Sequence, residues 1–210
     1  TGNIGFMPVG SPKLGKDVAN PLLDFHFIAD PTAIEYDGRL YVYGTNDHQQ
    51  YEAGTPTNSY EAINSLVVIS TDDMVNWTYH GLIDTKSVAP WISASWAPSI
   101  ISKVQADGST LFSLYFSNSG IGSGVIQSKS PLGPWTSPLN TNLTDGFDPG
   151  AVVDDNGDAW LAYGGGVGKI VKLGDDLHSI VAGPVLPPTP YHFEANELNF
   201  INGTYVYTYN

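Results

Sequence analysis

One short module recurs four times along this chain, and that repetition constrains the fold before any single residue is weighed. Asp30 opens the segment ADPTAIEYDGRLYVYGTND, Asp148 opens FDPGAVVDDNGDAWLAYGGG and Glu194 opens FEANELNFINGTYVYTYN, each acid standing seven or eight residues ahead of a tight turn. The turn dipeptides are Asp37-Gly38, Asn156-Gly157 and Asn202-Gly203, which suit type I′ hairpins because both central residues take positive φ. A fourth copy, SWAPSIISKVQADGSTLFSLYFSNSG, turns at Asp107-Gly108 and carries Trp96 where the others begin with an acid. The turn glycines stand at 38, 108, 157 and 203, at intervals of 70, 49 and 46 residues. Self-similarity at that period marks the four-stranded blades of a β-propeller. Copies set around an axis bring the acids of three modules to a common point.

The outer half of each blade is also legible. SLVVISTDDMVNWTYHG and GVIQSKSPLGPWTSPL each read as strand, polar turn and strand, with Ser70/Trp77 and Ser128/Trp135 in matching places. Both Trp residues are expected to fill the space between neighbouring blades. GKIVKLGDDLHSIVAGP repeats the design around Asp175-Asp176, and NDHQQYEAGTPTNSYEAINS reads as a long surface loop. With 23 Gly and 15 Pro, no long helix is expected. The expected organisation is blade 1 at 20–90, blade 2 at 91–140, blade 3 at 145–188 and the start of a fourth at 190–210: about three and a half blades of an all-β propeller. An open arc exposes sheet edges, so the remainder of the ring is expected outside this chain.

Composition narrows the partners. A net charge of −13 opposes phosphate backbones and anionic lipid surfaces, so neither nucleic acid nor membrane is expected as a partner. Twelve Tyr and five Trp suit strands and sugar-stacking surfaces. The absence of Cys excludes a thiolate nucleophile and a Cys-based metal site. No apolar run is long enough to span a bilayer. The opening TGNIGFMPVGSPKLG reads as a mature N-terminus of a secreted protein. GGGVGK at 164–169 lacks the spacing and the hydroxyl residue of a phosphate loop, and neither HExxH nor GxSxG occurs.

The acids allow one chemistry directly. Inverting glycoside hydrolysis needs one ionised carboxylate to activate water and one protonated carboxyl to donate to the leaving oxygen. Pro31 and Pro149 are expected to hold Asp30 and Asp148 extended and aimed at the axis. Glu194 lies among Tyr191, His192 and Phe193, where desolvation and the charge of Asp148 would keep it protonated. The assignment is Glu194 as general acid, Asp30 as general base and Asp148 as the group that tunes the acid. Trp96, Asp47 and His48 are expected to line the sugar site, and His26 to form a local hydrogen bond. No metal is assigned and no cofactor is required, with a structural calcium left open.

These motifs resemble those of family 43 glycoside hydrolases, from about Asn20 to the end of the chain. ADPTAIEYDGRLYVYGTND is similar to the family's first-blade segment, SWAPSI to its Trp-Ala-Pro motif, and STDDMVNW and SPLGPW to its blade-edge repeats. FDPGAVVDDNGDAWLAYGG and HFEANELNFINGTYVYTY resemble the segments that carry the family's modulating and proton-donating acids. The resemblance implies a five-bladed propeller, the same roles for Asp30, Asp148 and Glu194, and an inverting exo-glycosidase of plant pentosans. Glu197 departs from the pattern, which more often has an apolar or aromatic residue there. The expected substrate is arabinoxylan or an arabino- or xylo-oligosaccharide, with an α-L-arabinofuranosidase as the reading preferred over a β-xylosidase or arabinanase. A retaining relative and a non-catalytic carbohydrate-binding propeller are the other readings.

Overall fold

The computed structural model describes residues 7–9, 22–54 and 60–210. Fourteen strands and two short helices are described, in four antiparallel sheets. The first sheet holds β1 (Met7–Val9), β2 (Ala29–Tyr36), β3 (Arg39–Thr45), β4 (Leu66–Thr71) and β5 (Trp77–Ile83), in the order β1-β5-β4-β3-β2. The second holds β6 (Trp96–Val104), β7 (Thr110–Ser117) and β8 (Ser123–Ser128), with the place of a fourth strand marked by isolated bridges from Gln127 to Thr136 and from Ser123 to Thr144. The third holds β9 (Gly150–Val153), β10 (Ala159–Tyr163), β11 (Lys169–Leu173) and β12 (Ile180–Val185), and the fourth pairs β13 (Glu197–Ile201) with β14 (Thr204–Thr208). The innermost strands β2, β6, β9 and β13 lie against one another in sequence. These are blades of a β-propeller, three and the inner pair of a fourth. A strand at Met7–Val9, pairing with β5, extends the first blade beyond the expected four.

The cores lie between blades, because each sheet buries one face against the next. Tyr43, Leu66 and Val68 of blade 1 pack with Phe112, Leu114, Phe116 and Ile126 of blade 2. Tyr115 and Val125 of blade 2 pack with Leu161, Val171 and Leu177 of blade 3. Two buried tyrosines peg the blades together: Tyr43 donates to the Pro131 carbonyl at 2.6 Å, and Tyr115 donates to the Leu177 carbonyl at 2.6 Å. Trp135 does fill the space between blades, edge-on to Tyr43 at 6.3 Å. Trp77 does not: it packs with Leu23, Val67 and Ile69 on the other face of blade 1, covered by the segment before β2.

Two of the four hairpins depart from type I′. Asp37-Gly38 and Asn202-Gly203 have positive φ at both positions, as expected. At the other two only the glycine does, with φ of 80° at Gly108 and 81° at Gly157. Each is one residue longer, a type I turn closed by a left-handed glycine. The aspartate side chains select it: Asp107 accepts from the Ser109 amide, and Asp154 from the amides of Asn156 and Asp158. The segment after β3 is not all loop either, since Asp47–Glu52 forms the helix α1. A second helix, α2 (Thr85–Val88), is capped by Asp84, which accepts from the Ser87 amide at 3.0 Å.

Candidate active site

At the start of each inner strand the chain makes the same irregular step. Ala29 pairs with Thr45 and Thr32 with Tyr43, so two residues of β2 face a single residue of β3. Trp96 with Ser117 and Ser99 with Tyr115 repeat this in blade 2. The extra residue is left-handed in all four modules: Asp30 at φ 47°, Ala97 at 42°, Asp148 at 50° and Ala195 at 58°. The expectation that the prolines hold the aspartates extended is therefore wrong. The following proline disfavours only the right-handed region, and the bulge places both aspartates at positive φ. Such backbone is strained by roughly 1–3 kcal/mol per residue and clusters at functional sites.

The bulge also corrects the alignment of the acids. Glu194 exchanges both backbone hydrogen bonds with Asn210, so its ladder position is that of Ala29, Trp96 and Phe147. Asp30 and Asp148 are equivalent to each other, whereas Glu194 stands one residue earlier. The counterpart of Asp30 in blade 2 is Ala97, not Trp96. Because a left-handed residue turns the chain sharply, the left-handed residue and the one before it reach the same hollow.

That hollow is a cleft of ≈ 450 Å³ lined by Asp30, Asp47, Trp96, Phe147, Asp148 and Glu194, among others. Two other cavities, of ≈ 300 Å³ on the apolar flank of blade 1 and ≈ 260 Å³ between the inner strands, contain none of the three acids. Asp148 is the best-held carboxylate: it accepts from Ser117 Oγ at 3.2 Å and from the Ala195 amide at 2.9 Å. Burial pushes its carboxyl up, against those two donors, and the charge of Asp30 adds to the rise. Glu194 is raised by desolvation, then by the charges of Asp148 and Asp30. Asp47 is raised by burial and by Asp30. The three acids thus share one field, in which Glu194 holds its proton most readily where the two aspartates are ionised.

The segment carrying Glu194, just ahead of β13, is anchored on both sides. Asn196 donates to the carbonyls of Asp148 and Gly164, each at 2.9 Å, and accepts from His192 Nε2 at 2.8 Å and from the Tyr207 hydroxyl. Trp96 donates from Nε1 to the Tyr60 carbonyl at 3.0 Å, which fixes its ring at the cleft wall.

His48 is not among the lining residues. Its amide is bonded to the Phe27 carbonyl, its ring stacks on His26 at 4.6 Å and its Nε2 faces Glu52 at 3.6 Å. One helical step separates it from Asp47, which turns it out of the cleft. His26 makes the local bond expected of it, to Asn46 Oδ1 at 2.7 Å. Among the described residues no group of three or more His, Asp or Glu stands where it would hold a metal ion. Sequence reasoning missed Phe147, Thr45 and Ser117. Aligning the modules on their prolines, rather than on their acids, sets Phe147 beside Trp96, whereas the equivalence of Thr45 and Ser117 shows only in the strand pairing.

The profile of glycosyl hydrolases family 43 matches residues 18–210. An arabinoxylan arabinofuranohydrolase of Bacillus subtilis (strain 168) is 40% identical over 91% of this chain and 44% of its own length. A protein of the same name from Paenibacillus polymyxa is 36% identical over 91% of this chain and 36% of its own. The chain thus spans less than half the length of these curated relatives. A crystal structure of the B. subtilis arabinoxylan arabinofuranohydrolase in complex with cellotetraose superposes with a TM-score of 0.84 at 39% identity, covering 91% of this chain and 47% of that one. An α-L-arabinofuranosidase from Clostridium thermocellum gives 0.73 at 37% identity, covering 89% and 64%.

Proposed function

Because the chain belongs to glycosyl hydrolase family 43, with its five-bladed propeller fold, we propose that this protein is an inverting exo-glycosidase, an α-L-arabinofuranosidase that removes arabinose branches from arabinoxylan. The observation that carries the reading is the meeting of Asp30, Asp148 and Glu194 in one cleft with Trp96 and Phe147 on its wall. The names of the similar proteins support the choice of arabinose over xylose.

In this reading Glu194, held protonated by burial and by its two acidic neighbours, gives its proton to the leaving oxygen. Asp30 takes a proton from the water that attacks the anomeric carbon on the opposite face. Asp148 stays in place through Ser117 and the Ala195 amide, and its charge keeps the proton on Glu194 until the leaving oxygen takes it. The aromatic walls offer flat faces for a sugar ring. The acids suffice for this chemistry without a cofactor. A polymeric substrate that does not enter a cell implies action outside it.

The test is release of arabinose from arabinoxylan by the intact protein, compared with Glu194→Ala and Asp30→Ala. Turnover lost in both variants supports the reading; unchanged turnover in either removes that residue from its role. Binding to arabinoxylan without any release would instead favour a carbohydrate-binding propeller. The product anomer, followed by NMR, separates inversion from retention.

A further inference from the structure

The left-handed residue at the head of the second, third and fourth inner strands leaves an amide that needs an acceptor, and the preceding blade supplies it. Ala97 of blade 2 donates to Thr45 Oγ1 of blade 1 at 2.8 Å. Asp148 of blade 3 donates to Ser117 Oγ of blade 2 at 2.8 Å. Thr45 and Ser117 hold the same ladder position, opposite Ala29 and Trp96. Gly164 stands there in blade 3, where its amide meets the Phe147 carbonyl, and it has no hydroxyl to offer. The Ala195 amide goes to Asp148 Oδ2 instead.

A hydroxyl has one proton to give. Thr45 Oγ1 accepts from Ala97, and its proton goes to Asp30 Oδ2 at 3.2 Å. Among the described residues no other hydrogen bond reaches the Asp30 carboxylate. Thr45 itself is 2% exposed, so water does not compete for its hydroxyl. The carboxylate is exposed and on a strained bulge, and this one donor distinguishes its two oxygens.

We propose that Thr45 is a positioning residue for Asp30: committed by the Ala97 amide to donate, it occupies Oδ2 and reserves Oδ1 to take the proton of the attacking water. The proposal rests on the reading of Asp30 as general base. It adds a coupling between blades, since the backbone of blade 2 sets the direction of the Thr45 hydroxyl. A base held in one orientation abstracts a proton from a fixed place, and loss of such alignment lowers the chemical step more than binding.

The intact protein carries the experiment, with arabinose release from arabinoxylan as the readout. Thr45→Val keeps the shape and removes the hydroxyl; kcat is expected to fall about 10- to 100-fold with KM changed less than about two-fold. Thr45→Ser restores the donor and is expected to recover most of kcat. In an Asp30→Gly background assayed with azide as external nucleophile, Thr45→Val is expected to have no further effect, because no carboxylate remains to be oriented. If Thr45→Val does not fold, Thr45→Cys, a weak donor, makes the same comparison. An active enzyme in which Thr45→Val keeps kcat, or in which Thr45→Ser fails to restore it, overturns the role of Thr45 alone. A further loss in the Asp30→Gly background shows a merely structural inter-blade bond and also overturns it. An unmodified protein without turnover overturns the hydrolase reading, and the role of Thr45 with it.

Discussion

The Ala195 amide donates to Asp148 Oδ2 at 2.9 Å, so the residue that follows Glu194 is tied directly to the acid of the preceding blade. One bond across the blade boundary fixes both the distance between the two carboxyl groups and the field that Glu194 feels. Blade 2 achieves the equivalent contact with the hydroxyl of Thr45. Gly164 leaves the third boundary without one, and the carboxylate does that work itself.

Removing the charge of Asp148 while keeping an acceptor oxygen separates these two effects. Asp148→Asn retains an oxygen for the Ala195 amide but not the charge that raises Glu194. A general acid is active below its pKa, so lowering that pKa moves the basic limb of the pH–rate profile to lower pH. The expected result is such a movement, with kcat at neutral pH down about ten-fold or more. An unmoved limb shows that Asp148 does not set the protonation of Glu194.

Glu197 makes a prediction about stability. Burial raises its carboxyl from 4.5 to about 7. The folded state therefore binds this proton more tightly than the unfolded chain, and stability from this group falls as pH rises from about 4.5 to 7. Glu197→Gln removes the charged form. Its stability is expected to match that of the unmodified protein near pH 4.5 and to exceed it at pH 8 by on the order of 1 kcal/mol after allowance for solvent screening, read as a higher melting temperature at pH 8 alone. Equal differences at both pH values contradict this.

Gly150 lies where blades 3 and 4 touch backbone to backbone. A Cβ there would stand 2.5 Å from the Asn196 carbonyl oxygen and 2.7 Å from the Glu197 Cα, atoms that have no rotamer to change. Gly150→Ala is expected to destabilise the protein by about 1–3 kcal/mol. It also shifts the Asn196–Glu197 backbone that follows Glu194, so kcat falls in protein that remains folded. Thermal melts and kinetics below the transition check both parts.

Trp96 is expected to act through binding. Its ring is held at the cleft wall by the bond to Tyr60 and edge contact with the Tyr60 ring at 6.0 Å. Trp96→Ala is expected to raise KM about ten-fold, roughly 1.4 kcal/mol, with a smaller change in kcat. A loss confined to kcat places the ring's effect in the transition state instead.

Hairpin glycines and apolar alternation are local properties, set by backbone sterics and the two-residue strand period, and they were legible along the chain. From them came the blades, their order, the Asp30 and Asp148 motifs and the segment of Glu194. Trp135 between blades and the local bond of His26 could be read the same way. The site's finer arrangement was not. Whether Asn156-Gly157 turns in two residues or three depends on the Asp154 side chain, and whether Glu194 is aligned with Asp148 or one step before it depends on a bulge.

The amino-acid order alone thus determined a repeating all-β chain with acids at the head of its inner strands. Only the tertiary structure decided which groups share a cleft: it drew in Phe147, kept Asp47, turned His48 outward and linked Thr45 to Asp30. The reason is physical. Strand and turn preferences act over a few residues, whereas the left-handed bulges and the bonds that satisfy their amides exist only between blades, across 52 residues from Thr45 to Ala97 and 47 from Asp148 to Ala195.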